Sequence, residues 1–255
     1  MKLMAKESIK AIREKLLQDP SADYLASLAT DPRKGVQQLL QQVAKRQAAQ
    51  KQQLATFLSK RHFEDQLWPQ YPLIAGMDEV GRGPLAGPVV TAAVILPHDF
   101  AVLEVNDSKQ LSPHKRVQLY NQILETAVAV SVGVSDVAVI DRVNILEATK
   151  LAMQQAIRDL AVQPDYVLID AVKVDTGIPA TSMYKGDAKS ISIASASIVA
   201  KVIRDRLMIA YDRAYPGYDL AQNAGYGTQK HLAGLAKYGV TPAHRKSFAP
   251  VKKYL

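Results

Sequence analysis

The sequence predicts an α/β domain behind a helical N-terminal segment. Two apolar runs, 74–80 and 89–96, flank the turn Gly81-Arg82-Gly83-Pro84-Leu85-Ala86-Gly87-Pro88 and read as strand, turn, strand. Further strand-length runs at 128–134 and 166–170 alternate with helical patterns at 113–127, 141–160 and 191–211. Residues 1–70 differ in texture: Gly35 is their only glycine, and Gln, Lys and Ala dominate stretches such as 37–53.

Within that first segment, Val36, Leu39, Leu40 and Val43 recur at helical spacing, so two or three amphipathic helices are expected. Asp19-Pro20 and Asp31-Pro32 read as helix starts, with Asp capping and Pro in the first turn. Trp68-Pro69-Gln70-Tyr71-Pro72 is a natural boundary, giving an extension at 1–70 and a main domain at 71–255. The modest basic excess of the extension suits either a solvated helical arm or an accessory nucleic-acid contact.

Composition narrows the function. The 255 residues carry a formal net charge of +8, which favours an acidic partner, nucleic acid first. There is no cysteine, so disulfides and thiolate metal sites are excluded. A metal would have to use oxygen or imidazole, pointing to magnesium or manganese rather than structural zinc. No apolar stretch approaches the roughly 20 residues of a membrane span, and the N-terminus lacks a signal-peptide core. The expectation is a soluble cytoplasmic protein.

The chemistry begins with Asp78 and Glu79 at the end of the first apolar run. Neighbours on a regular strand point to opposite faces, so both serve one site only where the backbone twists away. Gly81, Gly83 and Gly87 supply that freedom, and Arg82 adds a planar cation suited to phosphate. An isolated Asp-Glu pair is most often a solvated surface feature; the glycines, prolines and arginine around this one argue otherwise. Asp170 ends the run 166–170, and the carboxyl end of a buried strand is where open α/β sheets build sites. Asp187 lies in the basic loop Lys185-Gly186-Asp187-Ala188-Lys189-Ser190, just before a long helix. Ser190 suits its N-cap, and the amides of its first turn suit an anion.

Other polar motifs carry two readings each. In Asn106-Asp107-Ser108-Lys109, Ser108 and Lys109 suit a phosphate, while an Asx turn capping the next helix explains Asp107 and Ser108 equally well. Lys201 and Asp205, four apart, suit an ion pair on one helix face. Residues 221–255 contain no acid, and Tyr226 sits between glycines there. It suits stacking on a base or sugar, or anchoring of its own loop. His231 and His244 are expected to be structural rather than metal ligands.

Asp78, Glu79, Asp170 and Asp187 cannot all stay ionised in one place without cations. Two divalent ions resolve this and suit phosphodiester hydrolysis, with no side-chain nucleophile needed. No Walker-type phosphate loop is present, which argues against an NTPase.

The residues 78–88 resemble the signature of ribonuclease HII, the type 2 ribonuclease H family. The resemblance continues through Asn106-Asp107-Ser108-Lys109, Ile169-Asp170-Ala171, Lys185-Gly186-Asp187-Ala188-Lys189, Ala200-Lys201-Val202, Arg204-Asp205-Arg206, Gly225-Tyr226-Gly227-Thr228 and His244-Arg245-Lys246-Ser247-Phe248. It covers about 73–255; extensions like the first 70 residues resemble those of ribonucleases HII from low-GC Gram-positive bacteria. It implies a ribonuclease H-like fold, a five-stranded mixed sheet flanked by helices with a C-terminal helical region. It implies Mg2+- or Mn2+-dependent cleavage of RNA in RNA-DNA hybrids, and cutting 5′ to a single ribonucleotide in duplex DNA. Ribonucleotide removal and RNA primer removal follow as its tasks. The catalytic and metal-binding carboxylates of the family fall on Asp78, Glu79, Asp170 and Asp187. Its Gly-Arg-Gly motif falls on Gly81, Arg82 and Gly83, and would read the ribose 2′-hydroxyl. Its junction-sensing tyrosine falls on Tyr226, with Lys109 and Lys185 as phosphate contacts. One departure is Ala224, where relatives often carry lysine, so the resemblance puts one phosphate contact, and with it affinity, in question. A monomer is expected, with no protein partner indicated. The alternatives are a ribonuclease HIII-like hybrid nuclease and a non-catalytic hybrid-binding protein.

Overall fold

In the computed structural model, residues 7–18 and 20–255 are described. The chain divides into two compact units, residues 1–56 and 57–255.

The first unit is helical. It contains α1 (Ile9–Leu17), α2 (Ala22–Ala29) and most of α3 (Lys34–Lys60). Ile12, Leu16, Leu28, Val36, Leu39 and Val43 form its core, so the stripe predicted on α3 is the buried one. Ser8 and Ser21 cap α1 and α2 by accepting from Ala11 N and Tyr24 N. Asp31 accepts from Arg33 N at 3.0 Å just ahead of α3. The predicted cap at Asp19 lies outside the described residues.

The second unit opens with the last turn of α3 and α4 (His62–Leu67), which ends just before Pro69. Five strands follow: β1 (Ile74–Val80), β2 (Val89–Ile95), β3 (Ala129–Ser135), β4 (Tyr166–Asp170) and β5 (Ala180–Met183). They make one mixed sheet in the order β3-β2-β1-β4-β5. β1, β2 and β3 are antiparallel neighbours, while β4 runs parallel to both β1 and β5. Helix α5 (Pro113–Thr126), capped by Ser112, follows β2. The 141–160 helix is divided in two, α6 (Val137–Val143) and α7 (Ile145–Arg158). Asn144 causes the break: its φ is +74°, and its side chain accepts from Leu146 N and Glu147 N to cap α7. Thr149, Met153, Ala156 and Ile157 of α7 are buried, while Leu146, in the first turn after the break, is exposed.

The long helix α8 (Ile191–Ala214) shares a core with α5 and β2. Helix α7 shares a second core with β1, β2 and β4. Gly76 allows the close seating of α8, since a Cβ there would lie 2.1 Å from the Ser192 carbonyl carbon. Helices α9 (Leu220–Asn223), α10 (Gln229–Tyr238) and α11 (Ala249–Lys252) complete the C-terminal region. Leu85, Ala86, Met208, Tyr218, Leu220, Leu235 and Val251 pack there.

Candidate active site

The parallel register of β1 and β4 pairs Met77 with Ile169, which places Asp78 and Asp170 side by side at the next position. Both strands are apolar up to that point, so the acids arrive together where the buried ladder ends. The 3-10 turn Gly186–Ala188 is drawn to the same place, because Gly186 N donates to Asp170 Oδ1 at 2.6 Å. Asp187 sits in that turn. Ser190 caps α8 through Ile193 N, as predicted.

Electrostatics report the convergence. Burial, then the charge of Glu79, pushes the Asp78 carboxyl well above the usual range, with Asp170 adding to it. Burial lifts Glu79 to about 7, opposed by Arg82 and reinforced by Asp170. Burial, then Asp107 and Asp170, raises Asp187. Asp170 thus acts on all three of the other acids. Ser197 works against that rise at Asp78, and its hydroxyl meets Ser108 Oγ at 3.0 Å. That contact ties the Asn106–Lys109 motif to the carboxylate corner. Asp107 accepts from Lys109 N at 2.9 Å, so the Asx turn is present. A cleft of about 450 Å³ is lined by Asp107, Lys109, Asp170, Tyr184, Lys185 and Asp187.

Among the described residues, no three potential metal ligands are gathered tightly enough to chelate an ion as they stand. The residues nevertheless fit a hard divalent cation. The donors are carboxylate oxygens, and Glu79 Oε2 is buried without a hydrogen-bond partner. Asp78, Glu79, Asp170 and Asp187 would hold it.

The glycine-arginine turn forms the next part of the site. Arg82 Nη1 reaches Glu79 Oε1 at 3.4 Å, while its buried Nε has no partner. A Cβ added at Gly83 would stand 3.4 Å from the Tyr226 ring, so that exposed tyrosine borders the turn. Gly81 has φ +95°, and a Cβ there would lie 2.1 Å from Arg204 Nε.

Two buried arginines hold this turn, and sequence reasoning assigned neither a role. Arg245 donates to Gly81 O, Arg82 O and Gly87 O. Arg204 donates to Pro88 O, Ala86 O and Ala224 O. Burial, then the Arg204 charge, draws Arg245 down to about 9, so it stays charged at neutral pH. Nothing in the flanking residues, Asp205 and Arg206 or His244 and Lys246, marks either arginine as buried. Lys201 pairs with Asp205 as its spacing predicts, and Arg116 joins them, Nη1 to Oδ2, at 3.1 Å. The first-turn amides of α8 are not open to an external anion: Ser192 N donates to Glu64 Oε1 at 2.9 Å.

These residues lie at the strand ends of an α/β sheet, and solved structures carry the same fold. The ribonuclease H2 crystal structure from Pyrococcus horikoshii OT3 superposes with a TM-score of 0.63 at 24% identity, covering 71% of this chain and 96% of that one. A Bst-RNase HIII structure in complex with Mn2+ superposes at 0.54 with 22% identity, covering 71% and 68%. The fold is therefore ribonuclease H-like, with a mixed five-stranded sheet, N-terminal helices and C-terminal helices.

The ribonuclease HII family model matches residues 75–251, and the ribonuclease HII N-terminal domain model matches residues 8–68. Ribonuclease HII of Latilactobacillus sakei subsp. sakei is 59% identical over 249 residues, 98% of each chain. That of Enterococcus faecalis is 58% identical over 252 residues, 98% of this chain and 99% of the relative. The chain belongs to the ribonuclease HII family of endonucleases, which sets aside the ribonuclease HIII alternative. Among the described residues, no helix is long and apolar enough to cross a membrane.

Proposed function

We propose that the chain hydrolyses the RNA strand of RNA-DNA hybrids and cuts 5′ to single ribonucleotides in duplex DNA. The observation that carries this reading is the convergence of Asp78, Glu79, Asp170 and Asp187, with the Gly81–Gly83 turn and Tyr226 beside it. A pair of Mg2+ or Mn2+ ions would supply Lewis acidity toward the phosphodiester and acidify water at this site.

The rest of the work belongs to the protein's own groups. The Gly81-Arg82-Gly83 backbone approaches the ribose and reads its 2′-hydroxyl, the group that separates RNA from DNA at one position. Arg82 adds a planar cation to the same turn, its Nη1 3.4 Å from Glu79 Oε1. Tyr226 stacks on the neighbouring deoxyribose, and Lys109 and Lys185 neutralise flanking phosphates. Cleavage leaves a 3′-hydroxyl and a 5′-phosphate. Residues 1–70 serve as a helical extension to the catalytic residues 71–255. The expected setting is the cytoplasm, as a monomer acting in ribonucleotide and RNA primer removal.

The test is a duplex carrying one ribonucleotide, incubated with Mg2+ and with EDTA. A nick 5′ to the ribonucleotide that needs Mg2+ is expected. Binding without a nick would leave a hybrid-binding protein instead.

A further inference from the structure

We propose that Lys60 and Glu64, one helical turn apart, are positioning residues that brace the two loops lining the carboxylate cleft. The inference rests on the proposed site and adds two groups to its support. Both side chains are buried, Lys60 at 6% and Glu64 at 0% exposure. Charged groups are seldom so enclosed unless paired, and each of these is spent on a loop.

Lys60 takes the loop before the Ser108–Gln110 turn. Its ammonium donates to Val105 O at 3.4 Å and to Asn106 Oδ1. Asn106 opens the segment that carries Lys109 to the cleft. Glu64 takes the other side. Its Oε1 accepts from Ser190 Oγ and from Ser192 N at 2.9 Å. Ser190 N in turn donates to Gly186 O at 2.9 Å, closing the turn that carries Asp187. A carboxylate at the start of α8 also suits the dipole of that helix.

The spacing explains the division of labour. Lys60 ends α3 and Glu64 lies in α4, so one short stretch of chain reaches both loops. Both residues fall within the part that matches the N-terminal domain of the family. Through these two residues the family's N-terminal segment supports catalysis by positioning.

Each brace is expected to move a different parameter. In the full-length protein, Glu64→Ala frees the Asp187 turn. The Mg2+ concentration for half-maximal cleavage should rise about tenfold or more, the usual cost of losing a ligand's support. Its KM for the single-ribonucleotide duplex should stay near the parent value. Glu64→Gln keeps the accepting oxygen and should reverse most of that rise. Lys60→Met keeps the stem and removes the donor. It should raise KM about fivefold, one hydrogen bond's worth, with the Mg2+ midpoint little changed. A merely structural role would lower the thermal midpoint of both variants without this crossed pattern, and that result overturns the proposal. Asp187→Asn separates the two levels of inference. If Asp187→Asn leaves the Mg2+ midpoint unchanged, the site assignment fails. If Asp187→Asn shifts it and Glu64→Ala does not, only the brace fails.

Discussion

His231 and His244 meet Nε2 to Nε2 across 3.0 Å in the C-terminal core. The remaining contacts fix where their protons sit. His231 Nδ1 lies 2.9 Å from Tyr226 O, which only accepts, so that nitrogen carries the hydrogen. Its Nε2 is then an acceptor, and His244 Nε2 must donate to it. His244 Nδ1 is left to accept, and Thr241 N–H points at it from 3.0 Å. The chain runs in one direction, holds both rings neutral and ends on the residue proposed to sense the junction.

Acid should break this relay. Burial lowers both histidines from 6.5, and burial together with His231 takes His244 to about 4. The unfolded chain therefore binds protons that the folded chain refuses. The stability contributed by the pair is complete above pH 6.5 and is lost as pH falls toward about 4. Urea denaturation between pH 7.5 and 5 should show this decline. His244→Phe, which cannot titrate, should show a shallower one.

The carboxylates titrate in the opposite sense. Asp78 and Glu79 are raised, Glu79 to about 7, so without metal the folded chain holds extra protons. The stability that the Glu79 proton confers is present below about 4.5 and is lost as pH rises through about 7, and Asp78 adds in the same sense. Cations compete with the same protons. The Mg2+ needed for half-maximal cleavage should therefore fall as pH rises from 6 to 8. A midpoint independent of pH would remove these acids from the metal site.

Asp78→Asn separates chemistry from binding. The substitution removes a charge that the site would need for metal, yet leaves the basic residues of 221–255 untouched. Cleavage should fall by at least about a hundredfold, the upper range for disturbing a ligand's neighbours. Hybrid affinity measured in EDTA should remain close to that of the parent. Near-normal turnover would reject the site.

Arg245→Met tests the scaffold beneath the glycine-arginine turn. It strands three carbonyls, Gly81 O, Arg82 O and Gly87 O. Each unpaired buried acceptor costs about 1–3 kcal/mol, so a loss of at least about 3 kcal/mol in unfolding free energy is expected. Arg245→Lys should recover only part of it, since an ammonium lacks the planar fork.

These residues also mark what the sequence made legible. Strands β1, β2 and β4 stand out as unbroken apolar runs, and Asp78 and Asp170 stand out because each ends one. Strand β5, Ala-Thr-Ser-Met at the sheet edge, is too short and polar to announce itself. The break at Asn144 was hidden because no glycine or proline marks it. Glu64, Lys60, Arg204 and Arg245 look like surface charges until the fold buries them. Periodicity records which face is apolar; it does not record which carbonyl a buried charge will find.

Tyr226 carries the most specific expectation. Its side chain is 50% exposed and borders Gly83, while the backbone around it is held by other groups. Tyr226 O takes His231 Nδ1, and Tyr226 N donates to Asn223 O at 2.9 Å. Removing the ring therefore leaves the loop's own bonds intact. Tyr226→Ala should change unfolding free energy by no more than about 0.5 kcal/mol, as for an ordinary surface position. Loss of stacking, about 1–3 kcal/mol per ring, should lower kcat/KM on the single-ribonucleotide duplex by about five- to a hundredfold. Tyr226→Phe keeps the aromatic face and should retain most of that activity. A Tyr226→Ala protein that unfolds at markedly lower temperature would instead make the ring a loop anchor.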